Sequence, residues 1–193
     1  MKKNDMTKKY PTIGCCGIDC GLCPRFYTKG ASRCPGCGGE DFDTVHPLCG
    51  VKTCCFNRKG LEACGQCKEY PCVKYEDKEK IERDSFITHK RIFINQEQIQ
   101  SGGIESFVLK QKERISILQD MLTEFDDGRS KGFYCLSAAL LPPDTVKALM
   151  AKTSGISDRK EKAKEFKESL ATYAGNESIK LLLKKNKGTA KKR

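Results

Sequence analysis

C15-C-G-I-D-C20-G-L-C23-P, followed by C34-P-G-C37-G-G, C49-x4-C54-C55 and C64-G-Q-C67-x4-C72, is the stretch that decides the fold. Twelve of the thirteen cysteines lie between Cys15 and Cys72, so the chemical message of the chain is concentrated in its first third. Two residues between cysteines let both sulfurs of a tight turn face one ion, and the C-x2-C-x10-C-x2-C run over Cys20, Cys23, Cys34 and Cys37 is close to a zinc-ribbon spacing. Ten thiols are candidate metal ligands on this reading: Cys16, Cys20, Cys23, Cys34, Cys37, Cys49, Cys54, Cys64, Cys67 and Cys72. Two four-thiolate sites need only eight, so two zinc ions are expected and the pairing of ligands stays open. Cys15 and Cys55 are the doubtful members of two doubled pairs.

The expected role of the metal is structural. The cysteine-rich stretch is rich in Gly and Pro and has only scattered large apolar residues (Phe26, Tyr27, Leu48, Phe56, Leu61), too few for a core that offsets chain entropy. Bound zinc supplies the missing folding free energy. The alternative cofactor is an iron-sulfur cluster, because C16-x3-C20-x2-C23 has the triad spacing of radical S-adenosylmethionine enzymes. Against that enzyme class, Leu22 stands where the usual aromatic residue precedes the last cysteine, no alternating strands and helices follow, and the bacterial ferredoxin run is absent.

The formal charge of +11 is carried mostly by the two ends: residues 1–9 and 184–193 account for +9, leaving +2 for residues 10–183. Eight thiolates around two zinc ions make the body mildly acidic. Nucleic-acid binding through zinc knuckles and the lysine-rich end is therefore only a weak alternative. No apolar run approaches the roughly 20 residues of a membrane span, so no membrane partner is expected and the protein reads as cytoplasmic. In a reducing compartment, clustered thiols are metal ligands or redox groups before they are disulfides.

After Pro71 the pattern changes to helical periodicity. Asp84 or Ser85 is placed to cap a helix that runs towards Gln100 and ends at Gly102-Gly103. Ile104, Phe107, Val108, Ile115, Leu118, Leu122 and Phe125 form one face of a second helix. A short apolar helix follows and is broken at Pro142-Pro143; another spans Thr145 to Ala151; and a last long one, capped by Ser157, is closed by Gly175 before a final turn around Ile179 to Leu183.

The expected organisation is a basic N-terminal tail (1–12), a cysteine-rich metal-binding domain (13–74), a helical domain (75–183) and a basic disordered tail (184–193). The fold class is mainly α: a small, loop-rich, zinc-stapled domain with short hairpins, then an all-helical bundle. Within the helical half, the turn D126-D-G-R-S-K131 and nearby Cys135 gather polar groups between apolar helices. Asp126, Asp127, Arg129, Lys131, Cys135 and His89 are candidates for a small-ligand site. The plainer alternative is a helix C-cap and turn with Cys135 packed as a small apolar residue.

C16-G-x2-C-x2-C-P, C34-x-G-C, C49-x4-C, K59-G-L-E-x-C-G-Q-C-x-E-Y-P-C72, D84-S-F-x-T-H89, Asn95 and D126-D-G-R-S-K-x-F-Y-C135 together resemble the cysteine-rich prokaryotic family named domain of unknown function 3795, over roughly residues 13–142. The resemblance implies a small metal-binding module, with zinc the usual presumption, and supplies no reaction or substrate. The reading that follows is a cytoplasmic zinc-binding protein that acts as a binding or interaction module for a protein or small ligand. A redox or iron-sulfur enzyme is the alternative, and whether the chain is an enzyme stays open.

Overall fold

The apolar face that begins at Ile104 builds the longest element of the computed structural model, which describes residues 7–77 and 83–183. Five helices of ten or more residues are described: α1 (Ile92–Gly102), α2 (Ile104–Glu124), α3 (Lys131–Leu140), α4 (Pro143–Lys152) and α5 (Arg159–Asn176). Positions three and four apart on α2 bury Ile104, Phe107, Val108, Gln111, Leu118 and Met121, so one stripe runs the length of the helix. Against it pack α1, α3 and α4. The core of this half joins Leu118, Met121 and Phe125 to Tyr134, Val146, Phe166 and Leu170. Phe125 and Phe166 stack at 4.2 Å between ring centroids, and the buried Tyr134 hydroxyl donates to the Phe125 carbonyl at 3.2 Å.

Caps and breakers act close to where the sequence places them, with three differences. Helix α1 starts at Ile92, not beside Ser85, because Asp84 instead accepts from the His89 amide at 2.7 Å and closes a turn ahead of the helix. Asp158 rather than Ser157 caps α5, accepting from the Glu161 amide at 2.8 Å. Residues 179–183 form no helix; the Ile179 amide bonds back to Ala174, and Ile179 and Leu181 pack on the core.

The cysteine-rich segment contains no hairpin, and among the described residues there is no strand. Its backbone closes instead in local turns such as Leu22 N–H to Asp19, Cys23 to Cys20, Cys67 to Cys64 and Tyr75 to Cys72. The other amides of these turns are taken by separate partners, Gly21 by the Thr12 carbonyl and Cys64 by the Cys15 carbonyl, so no extended edge is left to pair. A helical stretch at Gly50–Lys52 widens over Thr53–Arg58 into a π-type turn that carries Cys54 and Cys55. The expected tail over residues 1–12 is packed from Lys8 onward. The Lys8 ammonium, 4% exposed, donates to the Ile13 carbonyl at 2.5 Å, and the Lys9 and Tyr10 amides donate to the Glu62 carboxylate. The C-terminal tail, 184–193, lies outside the described residues.

Two glycines let the segment dock on α1. Gly17 has φ +91°, and a Cβ there would sit 2.6 Å from the Ile92 carbonyl oxygen; a Cβ on Gly65 would sit 2.5 Å from that of Gln96. At this close approach the fully buried Gln96 side chain accepts from the Gly65 amide at 2.5 Å and donates to the Cys15 carbonyl at 2.8 Å. Asn95 donates to the Gly17 carbonyl and to Asp19, both at 2.8 Å. From α2, Gln111 donates to the other oxygen of Asp19 at 2.9 Å. Two apolar side chains complete the attachment: Ile13 packs among Ile99, Ile104, Phe107 and Val108, and Leu22 enters the helical core.

Candidate metal centre

Nine thiols, of Cys15, Cys16, Cys20, Cys34, Cys37, Cys55, Cys64, Cys67 and Cys72, gather in one cluster where the turns bearing Gly17 and Gly65 dock on α1, while Cys23 packs on the helical core. All thirteen cysteines are free thiols. The innermost are Cys15, Cys37, Cys55 and Cys64, packed with Phe42, Phe56, Tyr70, Tyr75 and Ile92. They form a row. Cys37 donates to Cys15 at 3.9 Å between sulfurs, Cys55 lies next to both Cys15 and Cys64, and its own thiol donates to the Leu61 carbonyl at 3.4 Å. The Cys37 thiol and the neighbouring Cys55 draw the Cys15 thiol below its ordinary range and Cys55 lowers Cys64, while the same contacts push Cys37 and Cys55 up. The arrangement holds negative charge on sulfur inside an apolar layer, a state that a cation stabilises further.

Around the row lie the remaining candidates. Burial pushes the Cys16 thiol up to about 12, with Cys49, Cys15 and Cys64 as charged neighbours. Burial also raises Cys20, which lies beside Cys16 and receives the Cys37 amide. Cys23 has Cys34 as its neighbour and faces Cys135. Cys54, Cys55, Cys64, Cys67 and Cys72 line a cavity of about 30 Å³, enough for one ion or one water. Lys59 bonds the Cys67 sulfur at 3.2 Å and pairs with Glu69 at 2.9 Å, so a cation already stands beside that thiol.

The donor set fits zinc in chemistry and in one measurable edge. With Zn–S near 2.3 Å, two sulfurs of a tetrahedral site lie about 3.8 Å apart, and Cys15 and Cys37 are 3.9 Å apart. Among the described residues no three His, Cys, Asp or Glu side chains are arranged, as they stand, to hold one ion. Closing a shell therefore requires rotation of thiol side chains, which cysteine makes about a single bond. Cys15 and Cys55, set aside on spacing, occupy the centre of the row. The signal that could have found them is apolar burial: the doubled pairs put one cysteine of each on the inner side of its turn, where both are nearly inaccessible.

The small-ligand candidates are not brought together in the same way. Asp126 accepts from the Gly128 and Ser130 amides and Asp127 from the Arg129 amide, so the turn satisfies its own backbone. Lys131 reaches the Tyr27 carbonyl at 3.3 Å, and Ser130 receives Lys167. His89 stands in the separate 84–89 turn, its ring 3.0 Å from the Ser85 hydroxyl. Cys135 is 1% exposed within the helical core, and burial pushes its thiol up. Cys135→Ala is expected to cost about 1 kcal/mol in denaturant unfolding through a small cavity and to leave metal content unchanged; loss of metal in that variant would instead make Cys135 a ligand.

Residues 12–77 match the model of the family described as "Protein of unknown function (DUF3795)". The match spans the cysteine-rich segment and ends before the 84–95 and 126–135 motifs. No curated protein and no solved structure matches the chain.

Proposed function

We propose that this chain, a DUF3795 match through its cysteine-rich segment, is a zinc-binding protein whose metal is structural and whose folded surface serves as a binding module. The observation that carries the reading is the buried row Cys37–Cys15–Cys55–Cys64, four thiols without disulfides packed side by side in an apolar layer. Cys15, Cys16, Cys20 and Cys37 supply one thiolate shell. Cys54, Cys64, Cys67 and Cys72 supply the other, around the small cavity, and Cys55 lies between the two. Bound there, zinc links turns that are distant in sequence and neutralises sulfur charge; it offers no redox chemistry of its own. The chain's residues do the rest: Gln96, Gly17 and Gly65 hold the turns on α1, and Lys59 screens Cys67.

Elemental analysis of protein purified without oxygen tests this reading. Two zinc equivalents per chain are expected. Iron with acid-labile sulfide and a visible absorption band would overturn it in favour of a cluster-containing redox protein.

The described helices include none long and apolar enough to cross a membrane.

A further inference from the structure

Where α1, α2 and the start of α4 meet the cysteine-rich segment, a cavity of about 200 Å³ opens over Asp19. Its walls carry Arg91 from just ahead of α1, and Lys110 and Arg114 from α2. Its floor is built by buried polar side chains. Gln111, 2% exposed, commits its amide nitrogen to Asp19 at 2.9 Å and to the Thr12 carbonyl at 3.1 Å, which fixes the orientation of the group. Its carbonyl oxygen is left with no hydrogen-bond partner. A buried acceptor in that position is unfavourable unless something donates to it.

Charge in the cavity is also incompletely matched. Asp19 already takes two amide donors, and its nearest guanidinium, Arg91, stands off at 3.8 Å. Glu113 at the rim is occupied by Lys147. Arg114 spends one nitrogen on the Ala138 and Leu141 carbonyls at the end of α3, at 2.7 and 2.8 Å. Burial and the neighbouring Arg91 lower its affinity for its proton. Two guanidinium groups and an ammonium thus border one small space, above an acceptor that lacks a donor.

We infer that this cleft binds a small oxyanion, a carboxylate or a phosphate, that also carries a hydroxyl or ammonium donor. The oxyanion lies against Arg91, Lys110 and Arg114, and the donor reaches the Gln111 carbonyl oxygen, which is enclosed in the unliganded chain and has to be uncovered by a small movement of the lining side chains. Guanidinium groups suit such ligands because their planar N–H pairs match two oxygens at once. The volume admits a molecule of a few heavy atoms and excludes a drug-sized one. The inference rests on the binding-module reading and gives it a ligand class, but it does not depend on the metal.

Calorimetric titration of the full chain with lactate, inorganic phosphate and acetate tests it, zinc being measured on the same sample. Saturable binding of lactate or phosphate in the millimolar range is expected, and which of them binds separates a carboxylate from a phosphate ligand. Acetate, which has no donor for Gln111, binds more weakly than lactate. Arg91→Gln weakens binding about tenfold, the size of one charge-assisted hydrogen bond. Lys110→Gln, a change at an exposed position that leaves the fold intact, weakens it about threefold. No saturable binding of lactate or phosphate, or unchanged affinity in both variants, would overturn the inference. Binding that persists in a sample found to lack two zinc ions would retain the cleft while discarding the structural-zinc reading.

Discussion

If zinc holds the cysteine-rich segment as proposed, its removal by a chelator, with a thiol reagent to prevent its return, is expected to unfold that segment and loosen α1. Structural zinc contributes about 10–16 kcal/mol of apparent binding free energy per site, whereas a whole domain is stable by only about 5–15 kcal/mol. Loss of either shell therefore exceeds what the turns between Cys15 and Cys72 retain through local hydrogen bonds. Tyr70 and Tyr75, edge to face at 4.8 Å within the sulfur layer, provide the signal. Their near-ultraviolet circular dichroism should collapse on chelation and return when zinc is added back under reducing conditions. A metal-free protein with unchanged tyrosine signal and unchanged amide exchange in this segment would show that packing alone holds it.

The second large effect is expected at Gln96. Its replacement by alanine removes the partner of the buried Gly65 amide, withdraws a donor from the Cys15 carbonyl and leaves a cavity between α1 and the sulfur layer. The Cys15 carbonyl keeps the Cys64 amide at 2.9 Å, so the Gly65 amide is the group that is orphaned. Together these changes cost about 3 kcal/mol. The neighbouring Glu97 is exposed, and Glu97→Ala should change stability by less than about 0.5 kcal/mol. Urea unfolding of the two variants gives the comparison; equal midpoints would remove Gln96 from its proposed place in the joint.

Helices α2 to α5 were legible in the sequence because their apolar positions recur at three and four residues and because Pro142-Pro143 separates α3 from α4; their starts were legible only to within a residue or two, α4 beginning at Pro143 rather than Thr145 and α5 being capped by Asp158 rather than Ser157. The start of α1 was not, since Asp84 and Ser85 carry the same capping chemistry whether they begin a helix or close a turn. The hairpins expected among the cysteines did not form. Spacing predicts which sulfurs share a turn, and it is silent on where the turn's amides go. The same limit applies to Cys15 and Cys55: a doubled cysteine looks redundant along the chain, while its inward position depends on α1, more than thirty residues beyond Cys55. The polar turn at 126–131 was legible as a turn. Its hydrogen bonds to its own backbone are what a sequence cannot distinguish from readiness for a ligand.

The joint between the sulfur layer and α1 spans 81 residues of chain from Cys15 to Gln96, and the contact of Thr12 with Gln111 spans 99. A ribosome adds about 5–20 residues each second, so the first cysteine turns exist for on the order of ten seconds before the helix that shelters them has been made. During that interval the nascent thiols are open to oxidation and to wrong metals. The turns at Cys15 and at Cys64 close on the same residue, Gln96, so the thiols synthesised first wait longest for the cover that they share with the later ones.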